Sequence, residues 1–171
     1  MNLLDEIRKS NKKPKELLVY LSEKVKKDKK LLSDFSDCLK DASAPEKGTL
    51  METLEYASKD NPEVAIPHLN EVINHLSFDA PRVKWEAARV IANVSSKYPD
   101  KALLSIDRLL FNTKDKGTVV RWSTAFAIGE IAKFNKNKQR SLVSIIENLI
   151  KKEQNNGVKN VYQKALKIIN R

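Results

Sequence analysis

Cysteine occurs once in the 171 residues, at Cys38; glycine occurs four times, proline six times and tryptophan twice. A single thiol excludes an internal disulfide framework and any zinc site built from several cysteines. Cys38 shares a helical face with Leu31, Phe35 and Leu39, so it reads as a small buried hydrophobe and not as a reactive thiol. Scarce Gly and Pro mean few signalled turns, while the plentiful Leu, Lys, Glu, Ala and Asn are tolerable or good helix formers. The β-branched residues never gather into alternating runs, which leaves little material for a sheet. The stretch MNLLDEIRKSNKK is charged from Asp5 onward and lacks the apolar segment of a secretory signal. No stretch approaches the roughly 18 apolar residues of a membrane span. These absences predict an all-α, soluble, cytoplasmic protein.

What is abundant is positive charge, and it is unevenly placed. The net charge is +10. Residues 117–171 carry eleven Lys and Arg against three Asp and Glu, whereas residues 43–79 carry two against seven. The carboxy-terminal part is therefore a candidate surface for an acidic partner, although lysine-rich solvated helix faces produce the same count.

The chain repeats itself. Val83-Lys84-Trp85-Glu86-Ala87-Ala88-Arg89-Val90-Ile91-Ala92-Asn93-Val94 is followed 37 residues on by Val120-Arg121-Trp122-Ser123-Thr124-Ala125-Phe126-Ala127-Ile128-Gly129-Glu130-Ile131. Val158-Lys159 opens a third copy, with Tyr162, Ala165, Leu166 and Ile169 in register, and Glu46-Lys47 with Leu50, Leu54 and Ala57 opens a weaker one upstream. Each copy has apolar or small residues along one helical stripe, and Ala87, Ala88, Ala125 and Gly129 permit close approach of neighbouring helices. Other stripes lie between them: Leu69, Val72, Ile73 and Leu76; Leu103, Leu104, Ile106, Leu109 and Leu110; Leu142, Ile145, Ile146, Leu149 and Ile150. Breaks at Asn61-Pro62, Asp79-Ala80-Pro81, Tyr98-Pro99-Asp100, Thr113 to Gly117 and Gln154 to Gly157 are short, so sequential helices are expected to be antiparallel neighbours. About ten helices are expected in one domain over residues 1–171: irregular amino-terminal helices over 1–42, repeats over 43–79, 80–116 and 117–156, and a carboxy-terminal helix over 157–171.

These residues resemble the HEAT-repeat family. Its second helix carries an Asp, a short gap, then Val-Arg-x-x-Ala-Ala-x-Ala-Leu-Gly-x-Leu. Asp79 with Val83 to Val94 looks like this, with Lys84 in place of Arg, and Asp115 with Val120 to Ile131 looks more so, including Arg121 and Gly129. The resemblance is strong over 63–134, fair to 171 and weak before 60, and Gln154-Asn155-Asn156 supply no Asp at the last turn. It implies a right-handed α-α superhelix of four to five antiparallel pairs, with the second helices lining the concave side.

Two sets of residues stand out. Lys47, Lys84, Arg121 and Lys159 fall in register, one per copy. They form either a ladder for phosphates or, as the resemblance implies, braces that pair with each repeat's Asp; the second is the preferred reading. The tryptophans follow the ladder residues. On a helical wheel Trp85, Arg89 and Asn93 lie opposite the core stripe of Val83, Ala87, Ile91 and Val94, and Trp122, Phe126, Glu130 and Lys133 occupy the same arc of the next repeat. Trp and Arg dominate binding hot spots, so these seven residues are the candidate binding set; filling the groove between neighbouring helices is the alternative. His68, Glu71 and His75 share a helix flank, but three groups without a fourth make a weak metal site, and solvated side chains are expected.

No cofactor is expected. There is no Gly-rich phosphate loop or nucleophile elbow, and a Ser or Cys nucleophile has no evident base. A non-catalytic, monomeric module that holds a segment of a partner protein on its concave face is the first expectation. The alternative is nucleic-acid binding, similar to the HEAT-like alkylpurine DNA glycosylases, whose acidic catalytic residue has no counterpart four residues after Trp85 or Trp122, where Arg89 and Phe126 stand.

Overall fold

Alternation of apolar stripes with short breaks folds as a two-layer stack of helices in the computed structural model, which describes all 171 residues. There are eleven α-helices and no strands: α1 (Leu3–Lys9), α2 (Pro14–Lys27), α3 (Phe35–Asp41), α4 (Ala44–Asp60), α5 (Leu69–His75), α6 (Pro81–Ser95), α7 (Pro99–Leu103), α8 (Ile106–Asn112), α9 (Thr118–Phe134), α10 (Gln139–Lys152) and α11 (Asn156–Ile169). Two tight 3-10 segments, Lys29–Leu32 and Pro62–His68, precede α3 and α5. No helix is long and apolar enough to cross a membrane.

The stripe residues explain the stacking. Val83, Ala87, Ile91 and Val94 of α6 are fully buried, as are Leu50 and Leu54 of α4, Ile128 and Ile131 of α9, and Val158 of α11. These four helices, each opening on one copy of the repeated motif, form a continuous row: α4 packs on α6, α6 on α9 and α9 on α11, with α2 against α4 at the near end. One hydrophobic cluster runs from Leu3 to Tyr162 through the whole row. Close approach depends on small residues. A Cβ built at Gly129 would lie 2.8 Å from the Ala165 Cβ, so α9 and α11 touch along their backbones only because that side chain is missing. Beyond α11 the row has no small-residue face to offer. The positions that are Ala125, Gly129 and Ala132 in α9 are Gln163, Lys167 and Asn170 in α11, all exposed.

The outer layer departs from the expected simple pairs. Each of the two middle repeats breaks its first helix in two. Pro67 lies inside the segment before α5, where its ring cannot continue an α-helix. The chain bends again between α7 and α8, where the buried Ser105 hydroxyl donates back to the Ala102 carbonyl at 2.6 Å. This bend corrects the expected outer stripe: Leu109 is buried, but Leu104 is turned outward and 70% exposed. Near the amino terminus, within the irregular helices expected over 1–42, Ser33 and Asp34 separate the 3-10 turn from α3. Cys38 is buried there, and burial pushes its thiol above the ordinary value.

Candidate binding groove

Two of the four ladder residues, Lys84 and Arg121, act as braces. Lys84 Nζ donates to the Asp115 carboxylate at 2.8 Å, joining α6 to the turn that starts α9. Arg121 repeats the arrangement one step on: Nε lies 3.1 Å from Glu153, and Nη1 donates to the Asp115 carbonyl at 2.9 Å. Glu153 thus supplies the carboxylate that the last turn seemed to lack. Burial alone would raise Asp115 and Glu153, but Lys84 and the Gly117 N–H, and the Asn155 N–H and Arg121, outweigh it and hold both carboxyls below their ordinary range. Lys47 differs. Its ammonium donates to the Leu39 carbonyl and sits 5.0 Å from the Phe78 ring centroid. Asp79, expected to pair within the ladder, is exposed. Lys159 makes no ion pair or hydrogen bond through its side chain, and is half-buried at the end of the row.

The seven candidate binding residues separate into two groups. Asn93 turns toward α4, where Nδ2 donates to the Glu55 carbonyl at 2.9 Å and to Ser58 Oγ at 3.0 Å. Arg89 lies 3.6 Å from Glu55. Trp85 is half-buried and its indole N–H donates to Glu86 Oε1 at 2.9 Å. Asn93 and Arg89 therefore turn to α4 and away from a wall shared with Trp122, while the Trp85 indole is bound to Glu86 within α6. Glu86 is sealed there at 3% exposure, with Oε2 lacking a hydrogen-bond partner. Burial, with repulsion from Glu52, pushes its carboxyl up to about 7, and the Trp85 N–H only partly offsets this.

Trp122, Phe126, Glu130 and Lys133 do converge. They line one wall of an open groove of about 430 Å³ between α9 and α11. Trp122 is 42% exposed and stacks on Phe126, with ring centroids 5.8 Å apart and planes at 19°. Lys133 and Glu130 form an ion pair along the same wall. Gly129 and Ala165 form the floor, and Val161, Lys164 and Ile168 of α11 form the far wall. The far wall is absent from the sequence reading, although the repeat register carried the signal: Lys164 stands in the third copy where Phe126 stands in the second.

The histidine flank is corrected as well. His68 is buried, not solvated, with its ring 5.2 Å from that of Phe35, and burial lowers its pKa. His75 Nδ1 lies 2.7 Å from the Glu71 carbonyl. No three His, Cys, Asp or Glu side chains are grouped so as to hold a metal ion.

A row of long helices backed by broken outer helices has a clear structural counterpart. A designed armadillo repeat protein, solved in complex with the peptide (KR)4, superimposes with a TM-score of 0.66 over 98% of both chains at 17% identity. The chain is an α-solenoid repeat protein. At that identity the likeness speaks for the fold alone. No family model matches the sequence, and no curated protein shows significant similarity to it.

Proposed function

We propose that this solenoid is a non-catalytic protein-interaction module of HEAT type that holds a segment of a partner in the groove between α9 and α11. The exposed Trp122, stacked on Phe126 at the mouth of an otherwise lined groove, carries this reading. A stacked aromatic pair is rigid, so little side-chain entropy is lost when a partner covers it, and its large apolar area supplies affinity once desolvated. The groove volume falls within the range of ligand sites, roughly 300–1,000 Å³. The structural counterpart's bound peptide supports a solenoid of this shape as a peptide holder.

The excess of eleven cations over three carboxylates in residues 117–171 favours nucleic-acid binding as a second reading. Part of that charge is already spent internally, because Arg121 is bound to Glu153 and Lys133 to Glu130.

Selection of a displayed random peptide library on the protein, with counter-selection on Trp122→Ala, tests the first reading. Peptides that bind the wild type and fail on the variant are expected. Enrichment that is indifferent to Trp122→Ala contradicts it. An oligonucleotide whose affinity falls with salt at a log–log slope of ~0.9 per phosphate, and exceeds that of every selected peptide, establishes the second reading instead.

A further inference from the structure

From the charges that line the groove, we infer that the occupant is an acidic segment with an aliphatic or aromatic anchor, its carboxylate facing Lys164. This rests on the docking reading above and adds the chemistry of the partner. The groove has two unlike walls. Trp122 and Phe126 present an apolar face on α9, and Ile168, itself 49% exposed, extends that face across to α11. An anchor side chain laid between them removes apolar surface from water on both sides. The polar groups are asymmetric. Glu130 is the single carboxylate of the lining, and its charge is cancelled by Lys133 beside it. Lys164 has no such partner: it is exposed, and its ammonium makes neither an ion pair nor a hydrogen bond. One net positive charge therefore stands at the edge of the apolar strip, inside a region whose overall balance is eleven cations to three carboxylates. A basic segment would meet repulsion there, and a neutral one would leave Lys164 facing apolar surface without compensation. A carboxylate about one helical turn from the anchor gains a charge-assisted contact at the rim.

The test uses the full chain and three synthetic peptides, each carrying a fluorescent label whose polarisation reports binding to the wild type and to every variant. The first peptide places Leu roughly every three to four positions with Glu between; the second replaces Glu by Lys; the third keeps Glu and replaces Leu by Ser. The first is expected to bind, the other two to bind at least about tenfold more weakly. Lys164→Glu is expected to invert the order of the Glu and Lys peptides without changing the thermal midpoint, since its side chain makes no contact that folding needs. Equal binding of the Glu and Lys peptides, each lost in Trp122→Ala, overturns the acidic assignment and leaves the docking reading in place. Absence of binding by all three, or binding unaffected by Trp122→Ala, overturns both. Tighter binding of a short DNA duplex than of the Glu peptide, lost in Lys164→Glu, assigns the lysine to phosphate and overturns the proposal.

Discussion

Lys84 and Asp115 are 31 residues apart in the chain and 2.8 Å apart in space, and Arg121 and Glu153 reproduce that relationship one repeat later. The second helix of one repeat is thereby tied to the turn that launches the next. Both members of the first pair are largely shielded from water, so removal of one leaves the other charge desolvated and unpaired. Asp115→Ala is expected to cost about 2–3 kcal/mol, because it also removes the acceptor of the Gly117 N–H at 2.8 Å. Lys84→Met, which keeps the packed stem, should cost less. Urea midpoints of the two variants check the order.

Glu86 sets a pH dependence of opposite sign to that of an ordinary ion-paired carboxylate. Its folded pKa, about 7, lies above the unfolded value of 4.5, so the folded state holds the proton more tightly. The contribution is fully present below about pH 4.5 and is lost as pH rises through 7. Glu86→Gln keeps an acceptor for the Trp85 indole and removes the charge. It is expected to raise stability at pH 8 by about 2 kcal/mol and to change it little at pH 5. Thermal midpoints at both pH values measure this, and a uniform shift at the two would refute the assignment.

Arg8 and Glu46 tie α1 to the start of α4. The guanidinium Nε lies 2.9 Å from the Glu46 carboxylate, which also accepts from the Ser43 N–H at 2.7 Å. The Arg8 hydrogen bond first, and Ser43 second, hold Glu46 at about 2. Stability from this group is present above pH 4.5 and declines as pH falls toward 2. Arg8→Ala is expected to move the Glu46 titration, followed by carboxyl NMR shifts, back toward 4.5.

Gly129 is where α9 and α11 approach closely, with the Ala165 Cβ 2.8 Å from the place a Cβ on Gly129 would take. Gly129→Ala improves helix propensity by up to ~1 kcal/mol, yet its new methyl meets the Ala165 Cβ at 2.8 Å, with no flexible side chain to yield. Overpacking costs of roughly 1–3 kcal/mol should win. The variant is expected to be less stable, and the double variant Gly129→Ala, Ala165→Gly to recover most of the loss. A denaturation series of the three proteins checks this, and failure of the double variant to recover would place the strain elsewhere.

The second helices were readable because their signal is local. Val83, Ala87, Ile91 and Val94 announce their buried stripe within one helix, and the 37-residue register places the next copy. The outer layer was not, since Pro67 and Ser105 break stripes whose periodicity persists across the bend. His68 is buried by Phe35, a residue from another helix more than 30 positions away, which no local pattern shows. Trp85 and Trp122 occupy the same place in the register, but Glu86 follows one and Ser123 the other. The Trp85 indole donates to that carboxylate, whereas Trp122 stacks on Phe126. Glu153 stands just before the last turn, outside the position at which the resemblance places the acid, so the family pattern does not reveal it.

Accessibility of Trp122 bears most directly on the docking groove. In a Trp85→Phe protein, acrylamide quenching of the remaining indole should be strong when the protein is free and should fall sharply when a groove-binding peptide is added. An indole already shielded in the free protein, or one equally quenched in the complex, would contradict a groove that is open and waiting at that position.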